Sequence, residues 1–425
     1  MKPTDTTSLT EWIDWLVSLH ADEIDLGIDR VKSVAEAMNL ASPSPVVISV
    51  AGTNGKGSSV AMLSSIYETS GYQVGVYTSP HLLHFNERIR VQGQLADDQQ
   101  IVQAFAAIEA ARGQTKLTYF EFSTLAALWV FAQHALDVIL LEVGLGGRLD
   151  AVNLVDADAS LITAIGVDHE DWLGSDRNQI AVEKAGIMRS GKPSICSDND
   201  IPETLISYAS QHNVPLKRLA KEFFYQKNDQ AWSFLDSEHK PIYQDLALPA
   251  LSGDFQIQNA AGVVALVETL QSDLPVSFDQ LSQGLSDVTH PGRLQKIQFD
   301  HQNWLIDVAH NPQAAQVLAH YLKQASIQAN AIFSVLQDKD VVPMIEAIKP
   351  YIKKWSIADL AVTRALSVDK LERVLLQSGV PSENIVKCSN ISEAVAHNRQ
   401  TSGNDVLVWG SFFTVSQTLA CFQND

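Results

Sequence analysis

A glycine-rich turn with one lysine is the stretch of this chain whose residue types point most directly to chemistry. It follows a mainly apolar run, Val46–Ala51, and consists of Gly52, Thr53, Asn54, Gly55, Lys56, Gly57 and Ser58. The backbone N–H groups of such a turn, the start of the next helix and a mobile lysine ammonium together bind phosphate oxygens. The usual P-loop has a glycine where Val50 stands and a hydroxyl residue directly after the lysine. We interpret the turn as a nucleotide-phosphate site of altered spacing; the alternative is a tight strand-to-helix turn with an exposed lysine.

Acidic, imidazole and hydroxyl side chains end three further predicted strands. Glu142 ends an apolar run and could offer a carboxylate to the Mg²⁺ of a nucleotide, although many strands end in an acid. His169 is either a metal ligand or, as the residue by itself favours, a hydrogen-bonded loop histidine. Ser79 could reach a metal or a phosphate, or could serve turn formation around Pro80.

Several other residues are weaker candidates. Three glycines in the four residues Gly144–Gly147 indicate either a backbone that something approaches closely or a flexible loop. Lys184 falls in a helical run, where a lysine usually lies on the solvated face. Asp307 and His310 stand together at the end of a strand in the last third of the chain, and Arg293 precedes that strand.

The elements that must position these residues are alternating strands and helices. Strands are predicted at Val46–Ala51, Gln73–Thr78, Asp137–Val143 and Ser160–Ile165, and helices at Ser58–Ser70, Asp98–Arg112, Phe122–His134 and Arg177–Ile187. The alternation predicts an α/β fold with a parallel sheet covered by helices. Ligands of such sheets bind beyond the carboxyl ends of the strands, where nearly all the candidate residues fall.

Two or three domains are expected from the 425 residues. Polar-aromatic alternation at residues 222–249 suggests a hairpin excursion, after which the helix Phe255–Leu270 returns to the core. A junction around residues 288–293 precedes a second strand and helix series. We therefore predict an ATP-binding domain at 1–289 and a smaller α/β domain at 290–425.

The composition excludes several classes of function. The net charge of −19 argues against non-specific nucleic-acid binding. Cys196, Cys388 and Cys421 are widely spaced and predict neither a disulfide framework nor a thiolate zinc site. The chain has no long apolar run and no signal-peptide core, so we expect a soluble cytoplasmic protein without a membrane partner.

Eight motifs in their order along the chain resemble the folylpolyglutamate synthase family, within the Mur ligase superfamily. They begin at Val50, Thr78, Thr118, Glu142, Asp168, Glu183, Asp307 and Gly410. The resemblance is closest to the family's bacterial bifunctional type, and it spans nearly the whole chain. It implies a Mur-ligase-like fold, in which a P-loop-containing parallel-sheet ATPase domain is followed by a smaller Rossmann-like α/β domain.

The resemblance also implies a reaction and its residues. ATP would phosphorylate a carboxylate of dihydropteroate or of a reduced folate, and the amine of L-glutamate would displace the phosphate. The residues it assigns to ATP are Thr53, Asn54, Gly55, Lys56, Gly57, Ser58, Asn259, Arg293 and Asp307. Those it assigns to Mg²⁺ are Ser79, Glu142, His169 and Lys184, the lysine as a carbamate. Those it assigns to the pterin substrate are Leu26, Gly27, Ile28, Thr118, Tyr119, Phe120, Glu121, Leu149, Asp150 and Ala151.

Catalysis is assigned to Lys56, Lys184, His310 and Ser411, of which the last two would handle glutamate or the acyl phosphate. The resemblance leaves open a monovalent cation such as K⁺, favours a monomer, and places ATP between the two domains.

Other functions remain possible at this stage. Within the superfamily they are a monofunctional folylpolyglutamate synthase and a Mur-type ligase of cell-wall precursors, against which the stretches Leu26–Ile28 and Thr118–Glu121 favour folate. Outside it they are a phosphotransferase or nucleotide switch, and a folate-binding module without activity. A ligase releases ADP only when both the acceptor and glutamate are present.

Overall fold

The computed structural model of the chain describes residues 2–19, 25–401 and 405–423. The outermost residues of the two predicted domains, Met1 and Asp425, lie outside this part. The described residues form two compact units. The first takes in the chain up to Ala250 together with Gln256–Val288, and the second takes in Leu251–Phe255 and the chain from Thr289 onward.

The first unit is built on an eight-stranded sheet of order β4-β3-β2-β5-β1-β6-β7-β8. Its strands are β1 (Val46–Ala51), β2 (Val74–Tyr77), β3 (Ile89–Val91), β4 (Gln94–Leu95), β5 (Val138–Glu142), β6 (Ala159–Ile162), β7 (Ser194–Cys196) and β8 (Leu216–Arg218). The pairs that β1 makes with β5 and β6 are parallel, whereas β3 pairs antiparallel with β2 and β4. Strands β2 and β5 are buried along their whole length, as expected of a sheet covered on both faces.

The helices of this unit are α1 (Leu9–Leu19), α2 (Asp29–Ala37), α3 (Lys56–Thr69), α4 (Asp98–Ala111), α5 (Tyr119–Ala132), α6 (Glu170–Leu173), α7 (Arg177–Ala185), α8 (Glu203–Gln211), α9 (Phe255–Thr269) and α10 (Phe278–Asp287). Most residues of α3, α5 and α9 are buried, so these helices are covered on more than one face. Helix α5 begins three residues before the predicted start because Thr118 and Glu121 form a capping box.

A small antiparallel sheet of order β11-β10-β9 occupies the region where the sequence indicated a hairpin excursion. Its strands are β9 (Phe224–Lys227), β10 (Ala231–Leu235) and β11 (Pro241–Ala247). The alternation of polar and aromatic residues thus reflects strands with one covered face.

The second unit has a six-stranded sheet of order β12-β13-β17-β14-β15-β16. Its strands are β12 (Gln295–Phe299), β13 (Gln302–Ile306), β14 (Ala329–Phe333), β15 (Ile352–Ala358), β16 (Ile385–Cys388) and β17 (Asp405–Trp409). Its helices are α11 (Pro312–Gln324), α12 (Val341–Ile348), α13 (Val368–Gln377), α14 (Ile391–Arg399) and α15 (Phe412–Gln423). The last strand, β17, lies parallel between β13 and β14, so the ends of these three strands are neighbours.

No helix among the described residues is both long and apolar enough to cross a membrane.

Candidate active site

Two glycines of the turn after β1 stand where a side chain would collide with a neighbour. A Cβ atom on Gly52 would lie 1.8 Å from the Thr163 hydroxyl oxygen, and one on Gly55 would lie 2.5 Å from the Asn259 amide oxygen. Gly55 also has a φ of 93° and is the N-cap of α3. The turn therefore needs glycine at both positions, and it directs its backbone toward the start of α3, as a phosphate site requires.

The lysine of the turn folds back onto its own loop. The Lys56 ammonium donates to the carbonyl oxygens of Gly52, at 3.0 Å, and Thr53, at 3.3 Å. The Thr53 hydroxyl donates to the Gly166 carbonyl and accepts from the Gly166 N–H, both at 2.9 Å. The Thr53 side chain thus holds the turn against the segment after β6 in this structure.

A buried glutamine joins the turn to α9. Gln256 is fully buried, donates to the Ser58 hydroxyl at 3.2 Å and accepts from the Asn259 amide at 3.0 Å. Ser58 and Asn259, which the sequence places 201 residues apart, are therefore linked through one side chain. Sequence reasoning missed Gln256, because a glutamine in an alanine-rich helix carries no motif.

Two of the residues proposed for Mg²⁺, Glu142 and Ser79, stand at the carboxyl ends of the adjacent parallel strands β5 and β2. Glu142 is buried at the end of β5, and its carboxylate accepts from the Ser79 backbone N–H at 3.1 Å. His169 follows β6 with a φ of 54° and is the N-cap of α6. Within the described residues, no three His, Cys, Asp or Glu side chains form a metal-binding group.

The donor set nevertheless fits a nucleotide-bound Mg²⁺. The Glu142 carboxylate and the Ser79 hydroxyl are hard oxygen donors of the kind that Mg²⁺ prefers, and Mg²⁺ usually keeps further positions for phosphate oxygens and water. A carbamate on Lys184 would add a second anionic oxygen donor, whereas a protonated Lys184 would repel the metal.

Lys184 is buried near the end of α7 and does not lie on a solvated face. Its side chain is 2% exposed. Burial lowers the pKa of Lys184 to about 7; the charge of Lys56 adds to the lowering, while Asp168 and Asp150 oppose it. An amine with this pKa is neutral far more often than an ordinary lysine at neutral pH, so it is available to react with CO₂.

The glycine run after β5 packs directly on two elements of the site. A Cβ on Gly147 would lie 2.7 Å from the Glu183 carbonyl oxygen and 3.1 Å from the Lys184 Cα, and one on Gly144 would lie 2.5 Å from the Phe120 ring. Asp150 ends the run, and its carboxylate accepts from the N–H groups of Leu145, at 2.8 Å, and Val152, at 2.9 Å. The run is therefore a fixed loop.

The Asp150 carboxylate is buried, and burial raises its pKa to about 6 against the opposing effect of its backbone hydrogen bonds and of Lys56. Of the two residues predicted beside it, Leu149 is half-buried and Ala151 is buried.

Two of the predicted pterin-binding segments are joined by an arginine. Arg30 donates from its Nε to both carboxylate oxygens of Glu121, at 2.8 and 3.0 Å, and from its NH1 to the Asp25 carboxylate at 2.5 Å. Arg30 thereby ties the segment before α2, which contains the half-buried Leu26, Gly27 and Ile28, to the start of α5. Sequence reasoning missed Arg30, which lies 91 residues from Glu121.

The capping residues of α5 are buried, and its first two residues are half-buried. The Thr118 N–H donates to the Glu121 carboxylate at 2.7 Å, so both Glu121 oxygens serve Arg30 and this cap. Burial raises the pKa of Glu121, and the Thr118 N–H and Arg30 oppose the rise. Tyr119 and Phe120 are half-buried, and the Arg88 guanidinium lies 5.3 Å from the Tyr119 ring.

The candidate residues of the second unit form a cluster of their own. The buried Asp307 carboxylate accepts from the N–H groups of Leu294, at 2.9 Å, and Ala309, at 2.8 Å. Burial raises the pKa of Asp307, and the nearby Arg293 opposes the rise. The Phe412 ring lies 5.2 Å from the Arg293 guanidinium and 5.7 Å from the His310 ring.

Ser411 completes this cluster as a buried residue directly before α15. Its hydroxyl accepts from the Thr414 N–H at 3.0 Å, and the Thr414 hydroxyl donates to the Ser334 carbonyl at 2.7 Å. The structure therefore brings Arg293 and His310 against the Phe412 ring, and Ser411 directly precedes Phe412 in the chain, beyond the end of β17.

Comparison with known proteins gives a consistent result over the whole chain. The family profile described as "Mur ligase middle domain" matches residues 50–267, and the profile "Mur ligase, glutamate ligase domain" matches residues 292–412. A dihydrofolate synthase/folylpolyglutamate synthase of Escherichia coli is 40% identical over 419 residues, covering 98% of this chain and 96% of that protein.

Solved structures agree. Escherichia coli FolC in complex with DHPP and ADP has a TM-score of 0.91 and 38% identity, and covers 100% of this chain and 99% of its own. A bifunctional folylpolyglutamate synthase/dihydrofolate synthase from Yersinia pestis, complexed with AMPPNP and Mn ion, has a TM-score of 0.91 and 38% identity, and covers 100% of both chains. These similarities confirm the predicted fold class and the predicted family resemblance.

Proposed function

This chain belongs to the dihydrofolate synthase/folylpolyglutamate synthase family of Mur ligases, and from that premise we propose that it is an ATP-dependent ligase that adds L-glutamate to two acceptors. The acceptors are dihydropteroate, which becomes dihydrofolate, and reduced folates, which are extended at a γ-carboxylate. Similarity over 98% of the chain to an enzyme named for both activities carries this proposal. A monofunctional folylpolyglutamate synthase is the alternative.

The reaction balances in two steps. A carboxylate oxygen of the acceptor attacks the γ-phosphorus of ATP, which forms an acyl phosphate and releases ADP. The amine nitrogen of glutamate then attacks the acyl carbon, the bond to the phosphate oxygen breaks, and the nitrogen loses a proton. The protein has little covalent work to do, so its contribution is positioning and neutralisation of charge.

The first unit supplies the phosphate-binding groups in this proposal. The ammonium of Lys56 leaves its loop carbonyls and binds the transferring phosphoryl group, and the backbone of Asn54–Ser58 binds the remaining phosphate oxygens. Thr53 holds the loop in place through Gly166. Asn259 contacts ATP, in the orientation that Gln256 imposes on its amide.

Ser79, Glu142, His169 and a carbamate of Lys184 would hold the metal, which supplies neutralisation of phosphate charge when bound. The carbamate forms when the neutral Lys184 amine adds to CO₂, with formation of an N–C bond and release of one proton. Its support is the burial of the Lys184 amine, which lowers the pKa of that amine to about 7 and favours its neutral form. A monovalent cation such as K⁺ stays a prediction.

The pterin end of the acceptor is assigned to the surface around the half-buried Tyr119 and Phe120. Leu26–Ile28 and Leu149–Ala151 are assigned to the same substrate. The ion pair of Arg30 and Glu121 positions the first of these segments, and the bonds of Asp150 to its own loop position the second. In the second unit, Arg293 and Asp307 contact ATP, while His310 and Ser411 handle glutamate or the acyl phosphate. A cytoplasmic monomer, with functional domains at 1–289 and 290–425, completes the proposal.

The test is product mass from the purified chain with ATP, Mg²⁺ and either dihydropteroate or tetrahydrofolate, with and without L-glutamate. We expect both acceptors to gain one glutamate, and ADP to be released over many turnovers only when acceptor and glutamate are both present. Extension of tetrahydrofolate without reaction of dihydropteroate would establish the monofunctional alternative. ADP release independent of glutamate would indicate a phosphotransferase.

A further inference from the structure

The segment that follows β6 is held by side chains where the sheet ends. Beyond Ile162, the residues Ile165 and Gly166 have all of their backbone N–H and C=O groups bonded to side chains. The Ile165 N–H donates to the Asp198 carboxylate at 2.6 Å, and the Ile165 carbonyl accepts from Arg177 Nε at 2.8 Å. Both groups of Gly166 are bonded to the Thr53 hydroxyl, as described above.

Arg177 and Asp198 also bind each other, which closes a ring around Ile165. Arg177 NH2 donates to the second Asp198 oxygen at 3.0 Å, and that oxygen also accepts from the Asp200 N–H at 2.7 Å. Asp198 is 5% exposed. A buried carboxylate with three such bonds is held rigidly, since the donors restrain both of its oxygens.

This ring connects three parts of the proposed site. Ile165 lies four residues before His169. Arg177 is the first residue of α7, whose last turn carries Lys184, and Asp198 follows β7. Through Thr53, the neighbouring Gly166 is tied to the phosphate turn. A displacement of the Ile165 backbone would therefore move His169 relative to both Lys56 and Lys184.

We propose that Arg177 and Asp198 are positioning residues, which hold the Ile165–His169 segment in the place where it can serve the nucleotide-bound metal. This inference rests on the proposed function for the identity of the metal site. Neither residue contacts the reacting atoms in this account. Their effect passes through the backbone of Ile165 to His169, and they act together because each is bonded to the other.

The test compares Asp198→Asn and Arg177→Gln with a matched control, Asp200→Asn. The control removes the ion pair between Arg177 NH1 and the exposed Asp200 carboxylate, at 2.6 Å, and leaves the bonds to Ile165 in place. Two measurements are made on each full-length protein. One is hydrogen–deuterium exchange of the peptide covering residues 163–169, and the other is Mn²⁺ affinity in the presence of AMPPNP, from the electron paramagnetic resonance signal of free Mn²⁺.

We expect both ring variants to lose exchange protection at residues 163–169 and to bind Mn²⁺ about tenfold or more weakly, the usual effect of removing a residue that orients a metal ligand. AMPPNP affinity without metal should stay unchanged, and Asp200→Asn should match the unaltered protein in every measurement. Unchanged exchange and unchanged Mn²⁺ affinity in either ring variant would overturn the proposal.

Arg177→Lys covers the case in which a ring variant does not fold. Lysine keeps the charge opposite Asp198 but cannot serve all four acceptors that the guanidinium reaches, which are the Ile165 and Asp200 carbonyls and the Asp198 and Asp200 carboxylates. This variant should also lose exchange protection at residues 163–169 and bind Mn²⁺ more weakly, while unaltered exchange in the peptide covering β9 and β10 shows that it is folded. Normal Mn²⁺ affinity in Arg177→Lys would contradict the positioning role of Arg177 and Asp198. Neither measurement requires turnover. If the ligase assignment is wrong, the unaltered protein will form no ligated product, while the variants will still differ from it in Mn²⁺ affinity and exchange.

Discussion

Lys184 illustrates how one residue depends on its surroundings for its chemistry. In a helical run it has the pattern of a surface lysine, yet it is 2% exposed and has a pKa of about 7. Burial favours the neutral amine, which is the form that adds CO₂, and a carbamate converts this position from a potential cation to an anion. The neighbouring Lys56 favours the same outcome, because two adjacent ammonium groups repel each other.

We therefore predict that Lys184→Ala is nearly inactive and that small carboxylates such as acetate restore part of its activity. The unaltered enzyme should lose activity in CO₂-depleted buffer and regain it with bicarbonate, as measured by ADP release. Native mass spectrometry should show a CO₂ adduct that is absent from Lys184→Ala. An active alanine variant whose unaltered parent carries no adduct would contradict this role.

Lys56 is the second prediction at the residue scale. Lys56→Ala should lower kcat at least about 100-fold, since one contact to the transferring charge contributes on the order of 3 kcal/mol. The exposed Lys221, on the loop before β9, provides a control in Lys221→Ala, which should keep full activity. Circular dichroism verifies the fold of both variants, and near-normal turnover of a folded Lys56→Ala protein would refute the assignment.

At the scale of elements, the loop after β5 and helix α7 act as one packed unit. Gly147 approaches the backbone of Glu183 and Lys184 so closely that no side chain fits, and Asp150 fixes the loop from its other end. The sequence left a close approach and a flexible loop as alternatives for this glycine run, and the structure supports the close approach.

The third prediction follows from that packing. Gly147→Ala should displace the end of α7 and with it Lys184, and should lower kcat about 100-fold, because a shift near 1 Å can have an effect of that size. Gly191→Ala is the control: its Cβ meets nothing within 4 Å, although its φ of 71° strains an alanine by roughly 1 kcal/mol. The control should lose some thermal stability and keep its kcat. Equal kcat values in the two variants would show that the contact with α7 has no catalytic effect.

At the scale of the whole molecule, the proposed functional residues are divided between two units. The phosphate turn, the metal ligands and Lys184 belong to the first, whereas Arg293, Asp307, His310 and Ser411 belong to the second. In the second unit, Arg293 and His310 lie against the Phe412 ring. The handling of glutamate or the acyl phosphate is proposed for His310 and Ser411, which both belong to this unit. Ligation should therefore require both units in one reaction.

We predict that residues 1–289 expressed alone bind ATP weakly and form no ligated product, as measured by calorimetry and by product mass. Since Leu251–Phe255 clusters with the second unit, the fragment is verified first by circular dichroism. Full-length Asp307→Asn gives a second test that does not depend on the fragment, with an expected rise in the KM for ATP. Full ligation by the folded fragment would refute the need for the second unit.

The sequence by itself determined the glycine-rich turn after β1, the alternation of strands and helices, and the family. These properties depend on local chemistry: glycine where a side chain collides, apolar runs of strand length, and motifs in a fixed order. Strand β6 was predicted to run to Ile165 and ends at Ile162. The Thr163 N–H and the Ala164 carbonyl still bond to the backbone of Ala51 and Thr53, but the Ile165 backbone bonds to the side chains of Asp198 and Arg177. The edge strands β12 and β16 were also missed, since half-exposed strands carry a weak apolar signal.

Only the tertiary structure decided the environments of the functional groups. Three environments arise between separate segments of the chain. They are the low pKa of Lys184, the bonds of Glu121 to Arg30 and to the cap of α5, and the ring that Arg177 and Asp198 form around Ile165. Desolvation and hydrogen-bond partners are properties of the packed site, and the periodicity and spacing of residues in the sequence do not predict them. The residue types that can do the chemistry are written in the sequence, while their protonation, orientation and partners are set by the fold.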